Sequence, residues 1–285
     1  YIRQEKETFR EFKESVEKKW EEFKYSNSKV YVEYDQDLGG RFSIDFDNGE
    51  VEVEVVVQDN REKKVDINQK IKESLKKAID KDAPDGEKML NGQIGFNGSS
   101  LNRKNENQFI DSVVKNDKIS KKSIRTKSGS ATKYSVKFKL LPNHTKVRAQ
   151  RYKDEVLRQS RRFKVEPEII FAVIQAESNF NPNARSHIPA YGLMQLVPKS
   201  GARDAYLYIY KKDRMVGSKY LYNPENNIEL GCAYLSKLKH VYFKGIKDKK
   251  SLYHCIISAY NTGPGNVARA FTGKSKLGPA IRKIN

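Results

Sequence analysis

The residue whose position most suggests chemistry is Glu177, a carboxylate at the end of a strongly apolar segment. That segment, Pro167-Glu-Ile-Ile-Phe-Ala-Val-Ile-Gln-Ala-Glu177, is predicted to be a helix, which ends before the proline of Asn179-Phe-Asn-Pro182. We expect Glu177 to lie at the edge of a core, where loss of hydration and the negative end of the helix dipole both favour its protonated form. Such a group can protonate a leaving oxygen, as the general acid of glycosidic bond cleavage does. An exposed glutamate without a catalytic role fits the helix equally well.

Two further motifs carry polar side chains in unusual settings. Gly192-Leu-Met-Gln-Leu-Val-Pro198 contains one amide, Gln195, in an apolar stretch, and a buried amide needs hydrogen-bond partners. Its leading glycine permits a close backbone approach or an unusual dihedral angle. Ser258-Ala-Tyr-Asn-Thr-Gly-Pro-Gly265 places an aromatic ring and an amide before a glycine-rich turn. Each motif alone is weak evidence for a site, and the order of the motifs along the chain is the stronger evidence.

In chain order, these motifs resemble the catalytic domain of the lytic murein transglycosylases, which has a goose-type-lysozyme-like fold. The resemblance rests on Glu177-Ser178, Ser186, Gly192-Leu-Met-Gln195 and Ala259-Tyr-Asn261. Asn223-Pro-Glu-Asn-Asn-Ile-Glu-Leu-Gly231 is similar to the segment that the family has between its last two motifs. Ile188-Pro-Ala-Tyr191, with a sizeable domain in front of the motifs, is similar to the membrane-bound type C branch.

The resemblance implies a mechanism with one carboxylate. Glu177 is expected to protonate the glycosidic oxygen between N-acetylmuramic acid and N-acetylglucosamine in peptidoglycan, and then to accept the proton of the muramyl C6 hydroxyl. That hydroxyl closes on C1 and leaves a 1,6-anhydromuramyl end, an intramolecular attack worth an effective concentration of about 10⁵ M or more. No later acidic residue lies in a motif that resembles a second catalytic carboxylate; these residues are Asp204, Asp213, Glu225, Glu229 and Asp248.

The resemblance also implies the substrate-binding residues. Ser186 and Gln195 match polar positions that bind the sugar and its N-acetyl or carbonyl oxygens, and Met194 lines the same pocket. Tyr260 matches a tyrosine whose hydroxyl approaches the catalytic carboxylate, and Asn261 matches the amide beside it. Core packing is the alternative role for Met194 and Tyr260.

The sequence departs from the family pattern in two places. Val197 stands where several members have a second methionine, so the sugar is expected to pack differently there. The chain ends at Ile281-Arg-Lys-Ile-Asn285, whereas members usually continue through a further helical segment. Either the chain is truncated or a segment is missing, so the sequence does not define the far wall of the groove.

Length and charge predict two domains. The chain has 285 residues and a net charge of +19. Residues 1–150 carry 31 basic and 26 acidic side chains, whereas residues 151–285 carry 24 and 10. We expect an α+β N-terminal domain over residues 1–142, of no legible function, followed by an all-α lysozyme-like catalytic domain over residues 143–285.

The periodicity of apolar residues predicts the elements of the first domain. An opening helix is expected to bury a stripe formed by Phe9, Phe12, Val16, Trp20 and Phe23. Alternation predicts antiparallel strands over residues 30–34, 42–46 and 51–57, with Asn48-Gly49 as a hairpin turn. Further helices are expected over 67–79 and 109–114, and strand structure over 121–142.

After Pro142, Thr145 is the expected N-cap of a helix that carries residues 147–157.

The basic catalytic half favours a polyanionic partner, for which nucleic acid, anionic lipid and the carboxylate-bearing bacterial wall are candidates. Lysines alternate with Tyr134 and Phe138, a pattern found in nucleic-acid sites but also in half-buried strands, and we favour the strand. No metal is expected, because the four histidines lack a zinc-like spacing. No cofactor or nucleic-acid partner is expected either. Cys232 and Cys255 are expected to be buried free thiols, although a disulfide is possible in an oxidising compartment.

The resemblance implies a periplasmic enzyme that acts on peptidoglycan strands and is often held to the outer membrane by a lipid. No signal peptide or lipid-attachment cysteine precedes Tyr1, so we expect a processed or engineered form. Two other functions fit the same residues. One is a lysozyme-type hydrolase that uses water instead of the C6 hydroxyl, and the other is a non-enzymatic wall-binding protein that retains the groove.

Overall fold

A computed structural model describes residues 2–59 and 65–285 of the chain. The chain forms two compact units, Tyr1–Val147 and Arg148–Asn285. The first unit combines a sheet with helices, and the second is helical. The predicted fold class, α+β followed by all-α, is confirmed.

An antiparallel sheet of five strands forms the centre of the first unit, in the spatial order β1-β2-β3-β7-β6. Its strands are β1 (Val30–Tyr34), β2 (Gly40–Asp45), β3 (Glu50–Gln58), β6 (Ser120–Thr126) and β7 (Gly129–Lys139), and a separate small hairpin contains β4 (Gly95–Phe96) and β5 (Ser99–Ser100). The alternation predicts the first three strands. The apolar side chains of β2 and β3 share one core, but Val30, Val32 and Tyr34 of β1 pair with Asp45, Ser43 and Arg41 and therefore lie on the opposite face. The Asn48-Gly49 turn is closed by Asp45, whose Oδ1 accepts from the backbone N–H of Asp47 and Asn48.

The helices of the first unit are α1 (Ile2–Glu17), α2 (Ile67–Ile79) and α3 (Glu106–Val113), with a 3₁₀ turn at Asn116–Lys118. The predicted bounds of α2 are confirmed. Asp66 caps this helix by accepting from the backbone N–H of Gln69. Ile71 and Leu75 of α2 and Phe109 of α3 belong to the same core as the apolar face of the sheet.

The prediction for the opening helix is partly wrong. α1 ends at Glu17, so Trp20 and Phe23 lie beyond it, and Phe9 and Phe12 are 51% and 41% exposed. Trp20 is nonetheless fully buried, with its indole Nε1 donating to the carbonyl oxygen of Leu38 over 2.8 Å. The helical pattern thus identifies Trp20 as buried but does not reveal that the helix ends before it.

The second face of the sheet carries charges, and the most buried of them is Glu54 of β3. Its carboxylate accepts from Arg41 Nε at 2.6 Å, and Lys24 Nζ and Lys133 Nζ lie 3.0 and 2.8 Å away. Arg41 and Glu54 are each 1% exposed. Burial opposes ionisation of Glu54, but the bond to Arg41 and the neighbouring cations lower its pKa to about 2.

The lysine-rich segment after residue 118 is a half-buried strand, as predicted. Tyr134 and Phe138 of β7 pack against the core, while Lys133 and Lys137 point to the charged face and pair with glutamates of β3. The alternation therefore reflects the two faces of the sheet.

The second unit contains one helix that begins before its boundary and eight that lie within it. These helices are α4 (His144–Arg151), α5 (Lys153–Phe163), α6 (Pro167–Ser178), α7 (Arg203–Tyr210), α8 (Ser218–Tyr222), α9 (Pro224–Lys237), α10 (Lys249–Thr262), α11 (Pro264–Thr272) and α12 (Leu277–Ile284). Two π-helical turns, Pro198–Ala202 and Leu238–Tyr242, precede α7 and follow α9. The single helix expected over 147–157 is instead two, and Thr145 lies inside α4 rather than capping it.

α9 forms the middle of the second core and is the most completely buried helix of this unit. Cys232 of α9 and Cys255 of α10 are buried free thiols, as predicted, and burial raises the pKa of both. No helix in the described parts of the chain combines the length and apolarity that crossing a bilayer needs.

Candidate active site

Glu177 lies half-buried in the last turn of α6. The helix buries Ile170, Val173 and Ile174 but exposes Ala172 and Gln175, so this apolar segment is buried on one side only. One face of the helix is open because its residues there are short or polar. The carboxylate is therefore at the border between the core and solvent.

The backbone directly after Glu177-Ser178 is strained. Asn179 and Phe180 both have left-handed dihedrals, with φ of 48° and 61°, which residues other than glycine rarely adopt. Phe180 is held there by burial, and Arg148 Nε donates to the carbonyl oxygen of Asn179 over 3.0 Å. Strain of this kind is concentrated at functional sites, because the surrounding structure must maintain it.

Ser178 connects the end of α6 to the Gly-Leu-Met-Gln loop. Its fully buried Oγ lies 2.7 Å from the carbonyl oxygen of Leu193 and 3.1 Å from that of Ile174. The residue next to the candidate acid thus fixes the position of the loop.

The loop makes a tight turn at Gly192, whose φ is 75°. A Cβ atom here would lie 2.4 Å from both the carbonyl oxygen of Leu221 and Nδ2 of Asn227, so no other residue fits. Tyr191 and Leu196, on either side of the turn, exchange two backbone hydrogen bonds of 3.1 Å.

Asn227 of α9 holds this loop, and sequence reasoning did not single it out. Its Nδ2 donates over 2.8 Å to the carbonyl oxygens of Tyr191 and Leu221, and its Oδ1 accepts from the backbone N–H of Met194 at the same distance. The side chain is fully buried. The sequence carries no clear signal for it, because Glu225, Asn226 and Glu229 surround it with other polar residues.

Met194 is buried through its side chain and is linked to Tyr260 through its backbone. The side chain fills the space above Gly231 of α9, where an added Cβ would lie 2.1 Å from Sδ. The Tyr260 hydroxyl donates to the Met194 carbonyl oxygen over 2.8 Å. The structure thus places the thioether in the core.

Tyr260 lies close enough to Glu177 for the carboxylate charge to affect the tyrosine hydroxyl. Burial of its hydroxyl and the nearby carboxylate of Glu177 both raise the Tyr260 pKa well above its usual value. Its ring contacts that of Tyr234, with the centroids 5.6 Å apart. Tyr260 therefore remains a neutral hydrogen-bond donor beside Glu177.

Gln195 has one unused polar atom. Its backbone is left-handed, with φ of 46°, and Nε2 donates to the carbonyl oxygen of Gly192 over 2.9 Å. Its Oε1 is buried and has no hydrogen-bond partner in the described part of the protein. A buried acceptor without a partner is costly, so this oxygen is suited to receive a donor from a ligand.

Ser186 and Asn261 lie apart from this group. The Ser186 hydroxyl bonds within its own loop, donating to the Ile188 carbonyl oxygen and accepting from the backbone N–H of Ala190. Asn261 is exposed, and its Nδ2 donates to the Ile257 carbonyl oxygen over 3.3 Å. The structure thus brings Glu177, the loop and Tyr260 together without joining Ser186 or Asn261 to them by a hydrogen bond.

The acidic residues that follow Glu177 have other partners. Asp204 pairs with Lys237, Asp213 with Arg203 and Glu229 with Arg162, each over 2.5 Å; Glu225 lies 3.9 Å from Arg158; and Asp248 caps α10 by accepting from the backbone N–H of Ser251. Within residues 2–59 and 65–285, no group of three His, Cys, Asp or Glu side chains is arranged to hold a metal ion.

Comparison with known families and proteins gives consistent matches. A family model described as Transglycosylase SLT domain matches residues 155–281. A second, described as Membrane-bound lytic murein transglycosylase C, N-terminal domain, matches residues 3–85.

Two similar curated proteins are both named membrane-bound lytic murein transglycosylase C. The protein from Mannheimia succiniciproducens is 32% identical over 284 residues, covering 96% of this chain and 78% of the relative. The protein from Edwardsiella ictaluri is 33% identical over 290 residues, with the same coverage of each chain. A solved structure of an inactive mutant of lytic transglycosylase Slt from Pseudomonas aeruginosa is 28% identical, covering 47% of this chain and 20% of that chain with a TM-score of 0.36. The chain therefore belongs to the membrane-bound lytic murein transglycosylase C family, a family of peptidoglycan lytic transglycosylases.

Proposed function

We propose that the chain cleaves the β-1,4 bond between N-acetylmuramic acid and N-acetylglucosamine without water, with Glu177 as general acid and then as general base. The observation that carries this proposal is the single carboxylate beside Tyr260. The later acidic residues of the same unit bind cations or cap a helix. A mechanism that needs only one carboxylate agrees with that arrangement.

In the first step, Glu177 protonates the glycosidic oxygen and the bond to C1 of the muramyl sugar breaks. In the second, the Glu177 carboxylate accepts the proton of the C6 hydroxyl, whose oxygen bonds to C1. Protons balance because Glu177 is protonated both before and after the reaction. The product carries a 1,6-anhydro ring. Acid and base action of this kind contributes about 10² to 10⁴ to a rate.

The neighbouring residues have defined tasks in this proposal. Tyr260 stays neutral and donates to the Met194 carbonyl oxygen, so it fixes the loop beside Glu177 without adding a charge. The unpartnered Oε1 of Gln195 accepts the N–H of the sugar's acetamido group. That contact orients the acetamido oxygen, which stabilises positive charge at C1. Ser186 and Asn261 bind further along the sugar chain.

The names of the relatives suggest where the reaction takes place. They are called membrane-bound, and no helix among the described residues could span a bilayer. We place the enzyme in the periplasm, attached through a lipid to the outer membrane, where the glycan strands are accessible.

Mass spectrometry of the soluble products released from purified peptidoglycan tests the reaction. The unaltered protein is expected to release fragments one water lighter than reducing-end muropeptides, and Glu177→Gln to release none. Glu168→Gln is a matched control, because Glu168 is an exposed acid in the first turn of the same helix. Reducing-end products would show a hydrolase, and activity of Glu177→Gln near the unaltered level would remove Glu177 from the mechanism.

A further inference from the structure

We infer that Arg185, held by Tyr191, binds a carboxylate of the stem peptide that the muramyl sugar carries. This inference rests on the proposed function, because it takes peptidoglycan strands as the substrate of the adjoining site. It adds a peptide contact to a site so far described by its sugar contacts.

Arg185 is fixed to the active-site loop by its backbone. It forms an isolated antiparallel bridge with Tyr191, which in turn bridges Leu196 across the Gly-Leu-Met-Gln turn. Opposite residues of an antiparallel bridge point to the same side, so the Arg185 side chain lies over the ring of Tyr191. Arg185 is thus one bridge away from the turn that carries Gln195.

The ring of Tyr191, which itself packs against Tyr222, orients the guanidinium group. Its Cζ lies 5.8 Å from the centroid of Tyr191, and that ring packs edge-on against Tyr222, with centroids 5.4 Å apart at 75°. Burial raises the pKa of Tyr222, and the positive charge of Arg185 opposes that effect. Contact with a ring face leaves the N–H donors at the edge of the guanidinium available.

The charge of Arg185 is available for a ligand. Within the described residues, no carboxylate lies within ion-pair distance of this exposed side chain. Other arginines of the same unit are neutralised, since Arg203 forms two 2.5 Å contacts with Asp213 and Arg162 pairs with Glu229. Arg185 is therefore an unpaired cation held against a strained loop.

The chemistry of the substrate supplies the anion. The sugars at the cleaved bond are neutral, because the lactyl carboxyl is joined to the peptide as an amide, and the free carboxylates of that peptide are negatively charged. A planar guanidinium binds a carboxylate through two parallel hydrogen bonds, which lysine cannot do. We therefore expect the enzyme to prefer glycan strands that retain their peptides.

Initial rates on two substrates test the inference: intact peptidoglycan, and glycan strands from which an amidase has removed the peptides. Arg185→Gln is expected to lower the rate on intact peptidoglycan about five- to ten-fold, as for a charge-assisted pair near the surface. Its rate on stripped strands should equal that of the unaltered protein. Arg185→Lys should recover part of the loss, because it restores the charge without the paired donors.

Arg161→Gln is the matched control, because it removes the same charge from an exposed position on α5. It should match the unaltered protein on both substrates. An equal loss for Arg185→Gln on both substrates would overturn the inference, as that result shows a role in the sugar site or the loop. No loss on either substrate would overturn it as well. Failure of the proposed function looks different, because the unaltered protein would then release no anhydro product from either substrate.

Discussion

The two units bury polar groups in opposite ways. In the first, Glu54 lies at the centre of an ionic cluster, with Arg41, Lys24 and Lys133 all within 3.0 Å of its carboxylate oxygens. In the second, three neutral groups hold the Gly-Leu-Met-Gln loop by hydrogen bonds, namely the amide of Asn227 and the hydroxyls of Ser178 and Tyr260. One arrangement depends on charge and the other does not.

The difference is explained by what each region has to do. The ionic cluster covers the charged face of a sheet, where four groups offset one another's loss of hydration. The loop lies beside Glu177, which changes its protonation state in the proposed reaction. Because neutral links do not titrate between pH 5 and 8, the loop keeps its shape while the neighbouring carboxyl gains and loses a proton.

The largest expected effect comes from breaking the ionic cluster. Glu54→Leu removes the 2.6 Å partner of buried Arg41 and leaves it the more exposed Glu22 at 3.4 Å, which is expected to lower the free energy of unfolding of the first unit by about 3–5 kcal/mol. Denaturant titration followed by the fluorescence of Trp20 measures this loss. Glu50→Leu is the matched control, since Glu50 is a partly exposed glutamate of the same strand paired with Lys137 and Lys139. Equal losses for the two variants would contradict the special role of the buried cluster.

The pH dependence of the same cluster gives the second prediction. The folded-state pKa of Glu54 is lowered from 4.5 to about 2, so its stabilisation is present above the unfolded value and is lost as pH falls between them. The full loss is about 3 kcal/mol. Unfolding free energies at pH 6, 4 and 3 should therefore show the unaltered protein and Glu54→Gln converging as pH falls. A difference that stays constant with pH would show that Glu54 acts by packing alone.

Much of the fold is predicted by the sequence because periodicity reports which side of an element is buried. The strand over 51–57 and helix α2 follow from it directly, whereas the apolar side chains of the strand over 30–34 lie on the face opposite the main core. The ionic cluster does not, because charged residues on alternate strand positions usually face solvent. Here Trp20 and its neighbours cover part of that face, and the Arg41 guanidinium lies 4.1 Å from the Trp20 ring. The sequence of a strand does not show which of its two faces a distant segment of the chain will cover.

The candidate site, like the fold, is predicted only in part by the sequence. Glu177, Gln195 and Tyr260 were singled out from motifs, and their roles in substrate binding and catalysis remain predictions. The left-handed backbone at Gln195 and Phe180 has no sequence signal, since neither is glycine. Asn227 was missed because its partners lie up to 36 residues away, and a side chain's distant partners are not visible in the sequence.

The neutral loop gives the last and smallest of the three effects. Asn227→Leu keeps the approximate side-chain volume but removes three hydrogen bonds, leaving buried backbone groups of Tyr191, Leu221 and Met194 without this partner. The expected loss of stability in the second unit is about 2 kcal/mol, less than the sum of three bonds because the loop can shift toward other donors. That shift displaces Gln195, so cleavage should slow as well.

Because no titrating group takes part, the stability loss in Asn227→Leu should be the same at pH 5 and pH 8, in contrast to the ionic cluster. Asn226→Leu is the control, since this neighbouring amide donates only one long bond of 3.4 Å, to the Tyr220 carbonyl oxygen. Denaturant titration at both pH values, with cleavage rates measured alongside, separates the outcomes. A loss that changes with pH would mean that a charged group supports the loop, and the contrast between the two units would then fail.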